Sequence, residues 1–144
     1  MGLRRKSREM ALQFLFSHDF TAAADEPQAV ARELERFCGS FETGKKTLPY
    51  AQELITGICA RRAEIDQELT GRSHNWRLER MSLVDRNILR IAVFEMRYGQ
   101  DVPARVAINE ALEIAKLYSI PDSVAFINGI LDAVQGEQAA DPAP

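Results

Sequence analysis

M-S-L-V-D-R-N-I-L-R-I-A-V-F-E-M, residues 81 to 96, decides the fold class. Projected at about 100° per residue, Val84, Ile88, Ile91 and Ala92 share one face. Leu89, Val93 and Met96 share a second, and Leu83 and Phe94 flank them. Only Arg86, Arg90 and Arg97 form a polar strip, and it is narrow. A helix apolar over most of its circumference is a central helix with neighbours on several sides. Ser82 suits the N-cap, with Asp85 placed where an acid completes a capping box. Glu95 interrupts the Val84–Ile88–Ile91 face. A carboxylate there needs donors or a cation, so it is expected to be structural.

Two more helices follow directly. Pro103 suits a first helical turn. After it, V-A-I-N-E-A-L-E-I-A-K-L-Y places Ile108, Ala111, Leu112, Ala115 and Tyr118 on one face. Pro121 ends that segment, Asp122 or Ser123 suits the next N-cap, and Ile127, Ile130, Leu131 and Val134 form the last apolar stripe. Gly129 inside that stripe costs roughly 1 kcal/mol relative to Ala, which predicts close backbone packing there.

Working backwards, residues 4 to 18 read as a helix with Leu12, Leu15 and Phe16 on one face and Met10 and Phe14 on the other. That second surface would serve a homodimer or a second bundle. Pro27 opens a helix through about Cys38, with Val30, Leu34 and Phe37 inward. One longer helix is expected from about Pro49 to Leu69, ended by Gly71 and buried through Leu54, Ile55, Ile58, Ile65 and Leu69. A short turn capped by Asn75 precedes residue 81, with Trp76 expected in the core. Residues 39 to 46 read as a loop. The small, acidic tail 137–144 reads as disordered. The fold class is therefore all-α, with about seven helices and no strand, and residues 1–136 form a single domain.

The 144 residues are 46% hydrophobic and 27% charged, the balance of an ordinary soluble domain. There is no run of membrane-span length and no signal-peptide pattern, because Gln13 and His18–Asp19 interrupt the first apolar stretch. The expected compartment is the cytoplasm, with no membrane partner. Cys38 and Cys59 lack C-x-x-C spacing and fall on apolar helix sides, so both are expected as buried thiols. His18 and His74 have no ligand-spaced neighbours, so no metal or other cofactor is expected. No phosphate loop or nucleophile set is visible, which argues against an enzyme.

Charge is unevenly placed. Arg4, Arg5, Lys6 and Arg8 put +4 in the first eight residues, whereas the remainder carries −7 from 14 basic and 21 acidic residues. A basic arm on an acidic body suits nucleic acid. Lysine and arginine neutralise phosphates, and reading single-stranded RNA also needs flat groups for stacking.

V-D-R-N-I-L-R-I-A-V-F-E-M, D-V-P-A-R-V-A-I-N-E-A-L-E-I-A-K and S-V-A-F-I-N-G-I-L-D, in that order and spacing, resemble the C-terminal half of the NusB family, bacterial transcription antitermination factors. R-R-K-S-R-E-M-A-L-Q-F-L-F resembles its arginine-rich opening. The resemblance covers about two-thirds of the chain and is loose over residues 20 to 75. It implies two small helical bundles sharing one core. It also implies transcription regulation by binding: pairing with NusE, a ribosomal small-subunit protein, holding boxA RNA of nascent ribosomal transcripts, and joining the RNA polymerase elongation complex. By position it implies RNA contacts at Arg4, Arg5, Lys6, Arg8, Gln13 and Phe16, opposed by Tyr118, Asp122 and Phe126. Partner contacts fall at Asp85 and Leu89. Phe16 and Tyr118 are equally readable as core, Asp122 as a cap, and Asp85 as a capping-box acid. Many relatives have Tyr where this chain has Phe16, which removes a hydroxyl donor. Two rivals are the NusB-like N-terminal domain of an RNA cytosine methyltransferase and a helical interaction module without RNA affinity.

Overall fold

The computed structural model describes residues 2–39, 46–72, 81–99 and 101–140. Seven α-helices and no strand occur among them: α1 (Gly2–Phe20), α2 (Pro27–Gly39), α3 (Leu48–Ala60), α4 (Arg62–Arg72), α5 (Leu83–Tyr98), α6 (Ala104–Tyr118) and α7 (Pro121–Ala140). They divide into two compact units, Met1–Arg62 and Ala63–Pro144.

In the first unit, α3 packs against both α1 and α2. Ala11, Leu12 and Leu15 of α1 are buried, as are Val30 and Leu34 of α2 and Ala51, Leu54, Ile55 and Ile58 of α3. Met10 and Phe14, on the far side of α1, are also buried. The Phe14 ring meets Phe37 edge-on at 5.4 Å and stacks on His18 at 5.7 Å. That side of α1 therefore offers no surface to a second copy. Ser7 joins α1 to the start of α3, because its hydroxyl donates to Thr47 O at 2.8 Å and to Leu3 O at 3.0 Å.

The second unit is built on α5, which packs against α6 and α7 while these pack on each other. Every residue of α5 from Asn87 to Met96 is buried, as a helix with apolar residues around its circumference requires. Glu95 is 1% exposed and is internal, as expected. The expected α7 stripe, Ile127, Ile130, Leu131 and Val134, is buried throughout.

Several expectations are corrected. The single long helix is two: Arg61 leaves helical geometry at φ −117°, ψ 21°, and its N–H is shared between Gly57 O and Ile58 O. No proline or glycine marks the break, and beyond it α4 runs through Gly71 to Arg72. The total of seven thus agrees for a different reason, since the expected short turn at 75–80, with Trp76, lies outside the described residues, as do His74 and most of the 39–46 loop. The last helix reaches Ala140, into the expected tail, and 141–144 lie outside the description.

The polar strip of α5 is not a solvated face. Arg90 is 4% exposed and holds Asp66 of α4 by two bonds, Nε–Oδ1 at 2.7 Å and Nη2–Oδ2 at 2.9 Å. Arg97 forks onto Glu68, also on α4. Planar forks of this kind fix the approach of two helices more tightly than single bonds. Gly129 is exposed, and a Cβ there would meet nothing within 4 Å, so close packing is not why it is glycine. Cys59 is buried and Cys38 only half-buried, and both are free thiols.

Candidate functional site

Two surfaces gather the sequence-predicted residues, one in each unit. The first is the outer face of α1. Gln13, Phe16 and Phe20 are exposed along it, with Lys6 at its basic end. Phe16 is 39% exposed, so it belongs to this surface rather than to the Leu12 core face. The four cations of the arm are not equivalent. Arg4 lies over the Tyr50 ring at 4.2 Å while remaining exposed, a cation–π contact that orders its guanidinium. Arg8 lies 5.8 Å from the same ring and is 4% exposed. Arg5 is half-buried and Lys6 fully outward. Lys6 and Arg4 are thus the charges most open to a phosphate, and Arg8 supports the arm from inside.

The second surface is a groove of about 1040 Å³ between the start of α5 and the α6–α7 junction. Tyr118, Asp122 and Phe126 line it together. Tyr118 is 40% exposed, which removes it from the buried α6 face where periodicity placed it; Ile114 is buried instead. Leu117 and Ile120 stand on the rim at 68% and 62% exposed. Neither was singled out by sequence reasoning, because an apolar residue in a helical stripe reads as core until its neighbours are known.

Asp85 forms part of the groove wall. Ser82 accepts a hydrogen bond from the Asp85 N–H at 3.0 Å, so the expected cap is present. The Asp85 carboxylate does not complete a capping box. It accepts from Ser119 Oγ at 2.6 Å and Ser123 Oγ at 2.8 Å, tying the first turn of α5 to the α6–α7 turn. Ser123 is not the cap of α7, because that helix already starts at Pro121 and Ser123 lies inside its first turn. The strip expected to meet a partner is internal: Asp85 is 7%, Leu89 0%, Ala92 1% and Met96 7% exposed.

A third cluster went unseen in the sequence because its members are scattered. His18, 1% exposed, places Nδ1 2.7 Å from Glu33 Oε1 and Nε2 2.7 Å from Asp25 Oδ1. Carboxylates only accept, so a ring carrying both N–H groups satisfies both. Arg62 donates Nε to Asp25 Oδ2 at 2.6 Å and pairs with Asp19 at 3.0 Å. Burial pushes the Asp25 carboxyl up, but the hydrogen bonds from Arg62 and His18 outweigh it and hold it below its ordinary value. Burial lowers the Arg62 guanidinium, yet Asp25 and Asp19 hold it above its ordinary value. The Cys59 thiol is pushed up to about 12, first by burial and then by the Asp25 charge. One ligand-type atom from each of His18, Asp25 and Cys59 lies within 4.8 Å of the others. Asp25 is already held by Arg62 and His18. The chemistry of this cluster is that of an ion-pair network joining α1, α2 and the start of α4.

No helix of the described residues is long and apolar enough to cross a membrane. The NusB family's sequence model matches residues 5–136. The chain is 46% identical over 136 residues to a transcription antitermination protein NusB of Desulfotalea psychrophila, covering 94% of this chain and 96% of that protein. It is 49% identical over 138 residues to its namesake in Desulfosudis oleivorans, covering 95% and 88%. Among solved structures, T. maritima NusB superposes with a TM-score of 0.76 at 36% identity, over 98% of this chain and 93% of that one. A chain from a complex of antitermination factors NusB and NusE with dsRNA shares the fold at a TM-score of 0.77 and 22% identity, over 93% and 96%. With the family's pattern matching residues 5–136 and relatives 46–49% identical over nearly the whole chain, the chain belongs to the NusB family.

Proposed function

We propose that this protein is an RNA-binding transcription antitermination factor that pairs with NusE and holds boxA-type RNA of nascent ribosomal transcripts within the RNA polymerase elongation complex. It acts by binding rather than by chemistry, with residues 1–136 as the working domain. The observation that carries this reading is the outer face of α1, where outward cations share a helix with exposed Gln13 and Phe16. Phosphate neutralisation and base stacking are the two things single-stranded RNA requires. Relatives matched along nearly their whole length are named as antitermination proteins, which favours this reading over the methyltransferase domain.

In this reading Arg4, Arg5 and Lys6 take phosphates, and Arg8 steadies them from beneath. Gln13 offers an amide to a base edge, and Phe16 a stacking face. Tyr118, Asp122 and Phe126 form a second RNA-facing set in the groove. NusE pairing at the start of α5 runs over the exposed rim, Leu117 and Ile120, with Asp85 and Leu89 supporting it from inside. A fluorescence titration of labelled boxA RNA, with and without NusE and at several salt concentrations, tests the proposal. Affinity should fall with salt and rise when NusE is present. Absence of binding under both conditions would leave only the interaction-module reading.

A further inference from the structure

Phe20 closes α1 in an unusual setting. It is 73% exposed, the most exposed large apolar side chain described, and its ring stacks on Phe16 at 6.0 Å with planes 28° apart. On a helix the two are i and i+4 neighbours, one turn apart on the same face. At about 100° per residue, Phe20 falls in line with Gln13 and Lys6, all of them exposed. The acid beside it in sequence, Asp19, is turned to Arg62 at 3.0 Å, a cation it shares with Asp25. The outer face of α1 therefore runs from Lys6 past the half-buried Glu9 to Gln13 and two stacked rings, and the acid next to the rings, Asp19, is paired with Arg62.

We propose that Phe20 is a base-stacking residue, extending the RNA track of α1 beyond Phe16 by one further nucleotide. This rests on the RNA-binding reading above. Lys6 and Phe20 are 14 residues apart, about 21 Å of helix at 1.5 Å per residue. A stacked strand advances about 3.4 Å per nucleotide, so the face spans roughly six nucleotides. That lies within the site sizes of modules that combine a basic track with aromatic platforms. The charge on the same face favours RNA over a protein partner. An apolar protein contact would have no use for an outward lysine and glutamine in line with the rings. Two rings already stacked also present a flat, ordered face, so a base landing on Phe20 orders little side chain in doing so.

The test uses the full chain and a labelled single-stranded boxA-type RNA. Wild type is titrated first. If it binds no RNA, the functional reading fails, and this inference with it. If wild type binds, Phe20→Ala should weaken affinity by about fivefold or more, the low end of what one stacked base contributes. The slope of log affinity against log salt should stay unchanged, because stacking releases no counterions. Phe20→Tyr should restore affinity, and Phe20→Leu should not. Phe20 is exposed, so the variants should melt as wild type does. Unaltered affinity in Phe20→Ala, or equal rescue by Phe20→Leu, would overturn the stacking role while leaving the RNA reading standing.

Discussion

Removing the Asp85 carboxylate separates three roles that one acid at a helix start could fill. The carboxylate is 7% exposed and accepts two hydroxyl hydrogen bonds, from Ser119 and Ser123. A hydrogen bond to a charged group contributes about 1.5–3 kcal/mol net, and the open groove lets water recover part of that. Asp85→Ala should therefore cost roughly 2–4 kcal/mol. For 144 residues the unfolding entropy is roughly 0.3 kcal/mol/K, so Tm should fall by roughly 7–13 °C. An acid acting only through the helix dipole would cost about 0.3–1 kcal/mol. Ser119→Ala and Ser123→Ala should each cost about 0.5–2 kcal/mol, and each should couple to Asp85→Ala by about 1 kcal/mol in a double-mutant cycle. Thermal melts of the variants supply every number. Zero coupling, or a Tm loss of only one or two degrees, would refute the bridging argument. If stability holds and only NusE affinity falls, Asp85 is a partner contact instead.

Three further outcomes are expected. Gly129→Ala should stabilise by about 0.4–1 kcal/mol in urea denaturation, because the position is exposed, helical and open around a new Cβ. Asp25→Asn should cost about 1–2 kcal/mol near pH 7, the modest value reflecting its partial exposure. Because Asp25 titrates below its ordinary value when folded, its contribution is present above about pH 4 and lost as pH falls through the folded value. Denaturation curves of variant and wild type should therefore converge as the pH is lowered below the ordinary carboxylate range. Arg90→Ala should cost about 2–4 kcal/mol by stranding Asp66, and Arg90→Lys should recover only part in calorimetry, because an ammonium cannot reproduce the two-bond fork.

The sequence by itself determined that the chain is helical and where most inner faces lie, but not the break at Arg61. Helical periodicity is a local property, and Ile88, Ile91, Val93, Ile127, Leu131 and Val134 repeat at intervals that admit no other element. It also determined that Glu95 is internal, since a residue inside an apolar arc goes where the arc goes. The basic arm was legible as charge. What the tertiary structure decided is which polar groups meet. Asp85 finds Ser119 and Ser123 at separations of 34 and 38 residues, and Arg90 finds Asp66 at 24. The hydrogen bonds of His18 and Arg62 to Asp25 span 7 and 37 residues. No periodicity encodes such meetings, because they depend on how helices approach, not on how each is wound. The same holds at the edge of an apolar stripe. Tyr118 and Leu117 obey the helical pattern yet stand at the surface, and Leu89 is fully buried where a partner strip was expected. A helix with apolar residues on several sides leaves open which side is covered by what, and only packing against elements such as α6 and α7 settles it.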